Sequence, residues 1–213
     1  MEKYLSNRIK SLSESQTLAM AAKSRELKAQ GIDVISLSLG EPDFNTPDFI
    51  KEAAKKAIDE NYTHYPPVSG YREVLTAISN KFKRDNNLDY APEQIVVSNG
   101  AKQSLANVLL SLVNDGDEVL VPTPYWVSYV EIIKLAGGVP VFINANVETD
   151  FKITADQLEK AITEKTKMLM FSSPCNPSGS VYSKDELESL KNVLVNHPGV
   201  FVIADEIYEL INF

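Results

Sequence analysis

Alternation of short β-prone runs with amphipathic helices predicts an α/β fold, a mainly parallel sheet with helices on both faces. Two observations carry this prediction. Four strand-like runs recur at Val119 to Val121, Val139 to Ile143, Lys167 to Phe171 and Val200 to Ala204. Between the last three lie two helix starts marked by capping boxes, Thr154-x-x-Gln157 and Ser183-x-x-Glu186. In each box the two side chains satisfy backbone N–H groups that a first helical turn leaves unpaired.

The elements before these runs have their own signals. From Ser15 to Lys28 a loose apolar face of Leu18, Ala21, Ala22 and Leu27 predicts a helix, ended at Gly31. An extended arm follows, to about residue 45. Thr46 as cap and Pro47 in the first turn start a second helix, with the stripe Ile50, Ala53, Ala54, Ala57 and Ile58. Tyr62 to Gly70 is a proline-rich loop without a period, and Tyr71 to Asn86 returns to helix. Ile95-Val96-Val97 reads as a strand leading into Gly100, after which Leu105, Val108, Leu109, Leu112 and Val113 trace one helical face. The unbroken run Val200 to Ala204 is expected to be a strand buried on both faces. The chain thus divides into an N-terminal helix and arm, residues 1–45, and an α/β domain, residues 46–213.

Composition excludes several function classes. The 213 residues are 44% hydrophobic and 23% charged, as in an ordinary globular protein. The net charge is −8, with Lys and Arg dispersed among Asp and Glu. A nucleic-acid or anionic-membrane partner would need a basic face, so neither is expected. Met1 to Gln16 has no apolar core of the signal-peptide kind, and no apolar run nears the ~20 residues of a membrane span. The lone cysteine, Cys175, allows no intrachain disulfide and fits a reducing compartment, so a cytoplasmic protein is expected. Cys175 reads as a small residue in a tight turn.

Three segments carry chemistry. Asp205 follows the run Val200 to Ala204, with Tyr208 three residues on. Open α/β sheets bind ligands at the carboxyl ends of their strands. Ser172 to Gly179 closes the preceding run with a rigid turn bearing Asn176. An amide, a carboxylate and a phenol at one sheet edge suit a polar, ring-shaped cofactor. Asn99-Gly100-Ala101-Lys102 opens a helix, whose free N–H groups and dipole favour a phosphate. Taken singly, each also has a plain structural reading: an Asp after a strand is often a turn or cap residue, Asn-Pro is an ordinary turn, and Gly before a helix is common. The absence of G-x-G-x-x-G and P-loop motifs disfavours a dinucleotide or nucleoside triphosphate.

In this order and spacing the segments resemble the fold-type I pyridoxal-phosphate (PLP) enzymes, specifically class I aminotransferases of the aspartate aminotransferase family. The resemblance extends to Ser38-Leu39-Gly40-Glu41-Pro42-Asp43-Phe44, Tyr65-Pro66-Pro67 with Gly70, Ser98 to Gln103, and Pro124-Tyr125-Trp126. It implies the large domain of that fold, with residues 1–45 as part of the small domain, and pyridoxal 5′-phosphate as cofactor. Asp205 would pair with the pyridine nitrogen, whose proton makes the ring an electron sink. Asn176 and Tyr208 would donate to the ring's phenolate oxygen. The amides of Ala101 and Lys102 would hold the phosphate, with Gly100 allowing its close approach, and Trp126, otherwise a core aromatic, would stack on the ring. Tyr65 would reach the phosphate of a partner subunit, implying a homodimer.

For the substrate, an amino acid and a 2-oxo acid in turn, the resemblance assigns Gly40, Asn176 and Trp126. It adds Thr17 and Lys102 as contacts to a distal carboxylate, which points to aspartate; Lys102 also reads as a solvated helix lysine. Cys175 and Ser178 stand where Asn and Thr are usual, and Tyr71-Arg72 replaces a more common apolar pair. The resemblance covers about the first half of a family member, so the Schiff-base lysine is expected beyond Phe213 and no residue here is the covalent catalyst. Two alternatives stay open: another amino-acid lyase chemistry on the same scaffold, such as C–S cleavage, and a non-catalytic remnant.

Overall fold

The computed structural model describes residues 2–13, 16–37 and 40–211, and for Glu2, Gln16 and Thr17 the backbone alone. These gather in two compact units, residues 16–99 and residues 1–15 with 100–213. The first unit holds α2 (Gln16–Ala29), α3 (Asp48–Asp59) and α4 (Arg72–Asn86), and the second opens on the short α1 (Asn7–Lys10).

The second unit contains the sheet. Its four strands are β1 (Glu118–Thr123), β2 (Val139–Asn144), β3 (Thr166–Ser172) and β4 (Phe201–Asp205). All neighbours pair in parallel, in the order β2-β1-β3-β4. Its helices are α5 (Ala101–Leu112), α6 (Ser128–Leu135), α7 (Ala155–Ala161) and α8 (Lys184–Leu194). Successive strand residues point to opposite faces, and the burial follows that period of two. Val119, Val121, Met168 and Met170 pack with Leu105, Leu109, Tyr129 and Ile133 of α5 and α6. Leu120 and Leu169 face the other way and pack with Leu158 and Leu190 of α7 and α8. Helices therefore cover both faces, as the alternation predicted.

This order has a functional consequence. The chain leaves β1 toward β2 on one side and later returns through β3 and β4 on the other. Such a reversal opens a crevice outside the carboxyl ends of the strands on either side of it. Here these ends are Thr123 to Trp126 after β1 and Ser172 to Asn176 after β3.

Both expected capping boxes form: Thr154 Oγ1 accepts from Gln157 N–H at 3.2 Å, and Ser183 Oγ accepts from Glu186 N–H at 3.3 Å. Four expectations change. Ile95 to Val97 is not part of the sheet; extended backbone becomes a strand only with a partner, and Val97 N–H bonds instead to Ser69 C=O at 2.9 Å. Helix α3 starts one residue late, with Pro47 rather than Thr46 at its N-cap, and none of its residues is buried. The helix α6 was not foreseen, because Val127 to Lys134 is rich in β-branched and aromatic residues and lacks a capping side chain. Burial of Tyr129, Val130, Ile132 and Ile133 overrides that local preference.

The fourth change concerns β4. It pairs with β3 alone, and Phe201 and Val202 remain 46% and 47% exposed. A strand buried on both faces was expected; within these residues it is a sheet edge. Unpaired N–H and C=O groups beside exposed apolar side chains favour pairing with another chain. Residues 1–213 expressed alone should therefore self-associate, and Val202→Lys should reduce the associated fraction in sedimentation. A monomeric, cooperatively melting product would contradict this.

Candidate functional site

The turn after β3 fixes Asn176. Gly179 N–H donates to Cys175 C=O at 2.7 Å, and Cys175 N–H donates to Ser180 C=O at 2.9 Å, closing the loop on itself. The Cys175 thiol meets Pro124 C=O at 3.5 Å. From this turn Asn176 Nδ2 donates to the Tyr208 hydroxyl at 3.1 Å. Tyr208 comes from the turn after β4, and Ser173 N–H bonds to Asp205 C=O at 3.3 Å. The two strand ends are thus joined by backbone and side chain. One amide hydrogen of Asn176 and the Tyr208 O–H are left as neighbouring donors, the kind of pair an oxyanion requires.

Asp205 ends β4 with its carboxylate clamped from two sides. Oδ2 accepts from the Tyr129 hydroxyl at 2.7 Å, and Oδ1 accepts from Ile207 N–H at 3.3 Å. Tyr129 is 1% exposed. Burial first, then the hydrogen bond to Asp205 and its charge, raise the Tyr129 phenol well above its ordinary pKa. It stays protonated and so remains a donor. Ser172 sits opposite Asp205 across the β3–β4 ladder, and its hydroxyl is buried beside the Tyr129 phenol, whose pKa it lowers against the larger effects of burial and Asp205.

Contacts continue toward α5. The Trp126 ring meets Tyr129 edge-on at 5.7 Å, and Lys102 Nζ stands over Trp126 at 4.8 Å from its centroid. Lys102, Trp126, Tyr129 and Asp205 form one connected line from the start of α5 to the end of β4. Gly100 caps α5 with φ 87° and no side-chain hydrogen bond, and nothing lies within 4 Å of where a Cβ would project. The first-turn N–H groups of Ala101 and Lys102 have no intrahelical acceptor.

The structure therefore brings together Lys102, Trp126, Asn176, Asp205 and Tyr208, with Gly100 and Ala101 at the adjoining helix start. Gly40 and Tyr65 belong to the other unit, where Gly40 is exposed and Tyr65 fully so. Ser38, Leu39 and the side chain of Thr17 lie outside the described residues. Sequence reasoning missed Tyr129 and assigned Ser172 no role. The signal was the three-residue spacing from Trp126 to Tyr129, which has meaning only once the chain is known to turn there into α6, Tyr129 N–H bonding to Trp126 C=O at 2.9 Å.

Comparison with known proteins decides the family. The family model described as aminotransferase class I and II matches residues 32–213. The chain belongs to the class I and II aminotransferases. An aspartate aminotransferase of Bacillus sp. (strain YM-2) is 51% identical over 209 residues, 98% of this chain and 53% of that protein. An aspartate/prephenate aminotransferase of Cereibacter sphaeroides is 50% identical over 210 residues, 99% of this chain and 52% of that one. Among solved structures, the aspartate aminotransferase of Rhizobium meliloti superposes with a TM-score of 0.95 at 41% identity, over 98% of this chain and 52% of that one. That of Thermus thermophilus with maleate gives 0.93 at 43% identity, over 96% and 53%. This aminotransferase chain spans about half the length of the relatives it matches.

The family's cofactor is pyridoxal 5′-phosphate, and the residues present fit it. A clamped carboxylate, two convergent donors and an open helix start are the groups that a pyridinium, a phenolate and a phosphate call for. Among the described residues no cluster of His, Cys, Asp or Glu could hold a metal ion, and no helix is long and apolar enough to cross a membrane. Gly100 resists substitution through its backbone, since φ 87° is strained for any residue with a side chain. Gly100→Ala should cost roughly 1–3 kcal/mol of stability in denaturant unfolding. An unchanged midpoint would contradict this.

Proposed function

We propose that the chain is the N-terminal half of a PLP-dependent aminotransferase that moves an amino group from L-aspartate to a 2-oxo acid such as 2-oxoglutarate. The observation that carries this reading is the joined edge of β3 and β4, where Asp205, Asn176 and Tyr208 meet. Bound PLP would supply an electron sink for the carbanion formed at the substrate Cα. Asp205 holds the proton on the ring nitrogen, and Asn176 and Tyr208 donate to the ring's phenolate oxygen. Gly100 allows close approach to the Ala101 and Lys102 amides, which hold the phosphate. Trp126 covers a face of the ring and, with Asn176, borders the substrate. The Schiff-base lysine lies in the remainder of the protein.

The substrate side rests on Lys102. Lys102 is exposed at the start of α5 with its ammonium 4.8 Å from the centre of the Trp126 ring, which puts a cation at the cofactor end of the crevice. Aspartate and prephenate, named for the relatives, are both dicarboxylates, and the Thermus thermophilus structure holds maleate, another. Lys102, with Thr17, receives the distal carboxylate, while Asn176 and the backbone at Gly40 receive the α-carboxylate. Tyr65, fully exposed in this chain, serves the phosphate site of a second subunit, so the enzyme is a homodimer. Residues 1–45 belong to its small domain and 46–213 to its large one, and it works in the cytoplasm.

Full-length enzyme with L-aspartate and 2-oxoglutarate should yield oxaloacetate and glutamate in equal amounts. Release of ammonia or carbon dioxide without glutamate would place the chemistry among the lyases, and no turnover with PLP bound would favour a non-catalytic remnant. A charge-assisted contact is worth about 1.5–3 kcal/mol, so Lys102→Ala should lower kcat/KM for aspartate by one to two powers of ten and for alanine far less. Equal losses would assign Lys102 to the phosphate or the fold.

A further inference from the structure

We propose that Tyr129 is a positioning residue for the cofactor, setting through its hydrogen bond to Asp205 how that carboxylate meets the pyridine nitrogen. The inference rests on the assignment of Asp205 to that nitrogen made above.

The geometry gives Tyr129 little else to do with its hydroxyl. The ring is 1% exposed within the α5–α6 core, a place a phenylalanine would fill as well. Burying a hydroxyl there is costly unless it is bonded, and its acceptor is Asp205 Oδ2 at 2.7 Å. The polar group beside it, the buried Ser172 hydroxyl, acts on the phenol oxygen in the direction of a donor and so does not compete for the phenolic proton, which goes to Asp205. The contact joins residues 76 apart in sequence, linking the face of α6 to the last residue of β4. With Ile207 N–H on Oδ1, the carboxylate is held in one plane by a donor on each oxygen.

Two consequences follow at the ring nitrogen. A carboxylate already fixed in orientation loses no rotamer freedom on pairing, which favours cofactor binding. A donated hydrogen bond also favours the charged form of a carboxylate. Beside a pyridine, that keeps the shared proton on the ring side and the negative charge on Asp205. The same phenol meets Trp126 edge-on at 5.7 Å, so one side chain orients both the ring-stacking aromatic and the carboxylate.

The test uses the full-length enzyme reconstituted with PLP labelled with nitrogen-15 in the ring, as wild type, Tyr129→Phe, Asp205→Asn and the double variant. Two readouts are taken: the ring nitrogen chemical shift and the dissociation constant of PLP. Tyr129→Phe should move the shift part-way toward that of unprotonated pyridine and weaken PLP binding roughly tenfold, as expected for one charge-assisted hydrogen bond. In the Asp205→Asn background the same substitution should change neither. Placing 3-fluorotyrosine at 129, a stronger donor of nearly equal size, should move the shift the opposite way, and keeps the test open if the phenylalanine variant folds poorly. If Asp205→Asn alters both readouts while Tyr129→Phe and the fluorinated residue match wild type, the inference fails and the cofactor assignment stands. If Tyr129→Phe has equal effects in both backgrounds, Tyr129 acts through packing and the inference fails. If Asp205→Asn leaves both readouts unchanged, the cofactor assignment fails and takes the inference with it.

Discussion

The parallel pairing of β3 with β4, which sets Ser172 opposite Asp205, is the constraint on which the site depends. Two turns leave the sheet from that register, one ending at Asn176 and the other at Tyr208, and their side chains meet at 3.1 Å. A shift of the ladder by one residue would turn Asp205 to the other face of the sheet. It would also break the bond from Tyr129, since that phenol is fixed by the α5–α6 core. The packing of Met168 and Met170 on one face and Leu169 on the other fixes which face each β3 residue presents, because each side chain is at most 1% exposed.

Polar groups of opposite role are held apart along this edge. Donors gather at Asn176 and Tyr208, an acceptor is clamped at Asp205, and an ammonium stands over Trp126 at the start of α5. Each is fixed by a neighbour that is not itself reactive: the closed Cys175–Ser180 turn, the buried Tyr129 and the Trp126 ring. Preorganised donors of this kind are effective because they need no rearrangement when charge develops.

The sheet and the flanking helices α5, α7 and α8 were legible in the sequence because their signals are local. The apolar runs named all four strands to within about two residues, and Thr154 and Ser183 announced their helices by side chains that bond three residues ahead. The convergence of Asp205 and Asn176 on one edge was legible by position, since one ends a strand and the other sits in the turn after its neighbour. What stayed hidden was non-local. The helix α6 looks like a strand until the core claims Tyr129 and Ile133, and with it went the link from Tyr129 to Asp205. The exposure of β4 could not be read from Val200 to Ala204, whose composition is the same whether or not a further strand pairs with it. Ile95 to Val97 failed for the same reason: β-prone residues state a preference, and only a partner makes the ladder.

The most direct test of the account is a crystal structure of the full-length enzyme with PLP bound. It should show an Asp205 carboxylate oxygen about 2.6–3.2 Å from the ring nitrogen, Asn176 and Tyr208 on the phenolate oxygen, and the phosphate on the amides following Gly100. A ring nitrogen facing solvent or another side chain, with Asp205 bonded only to Tyr129 and Ile207, would contradict it.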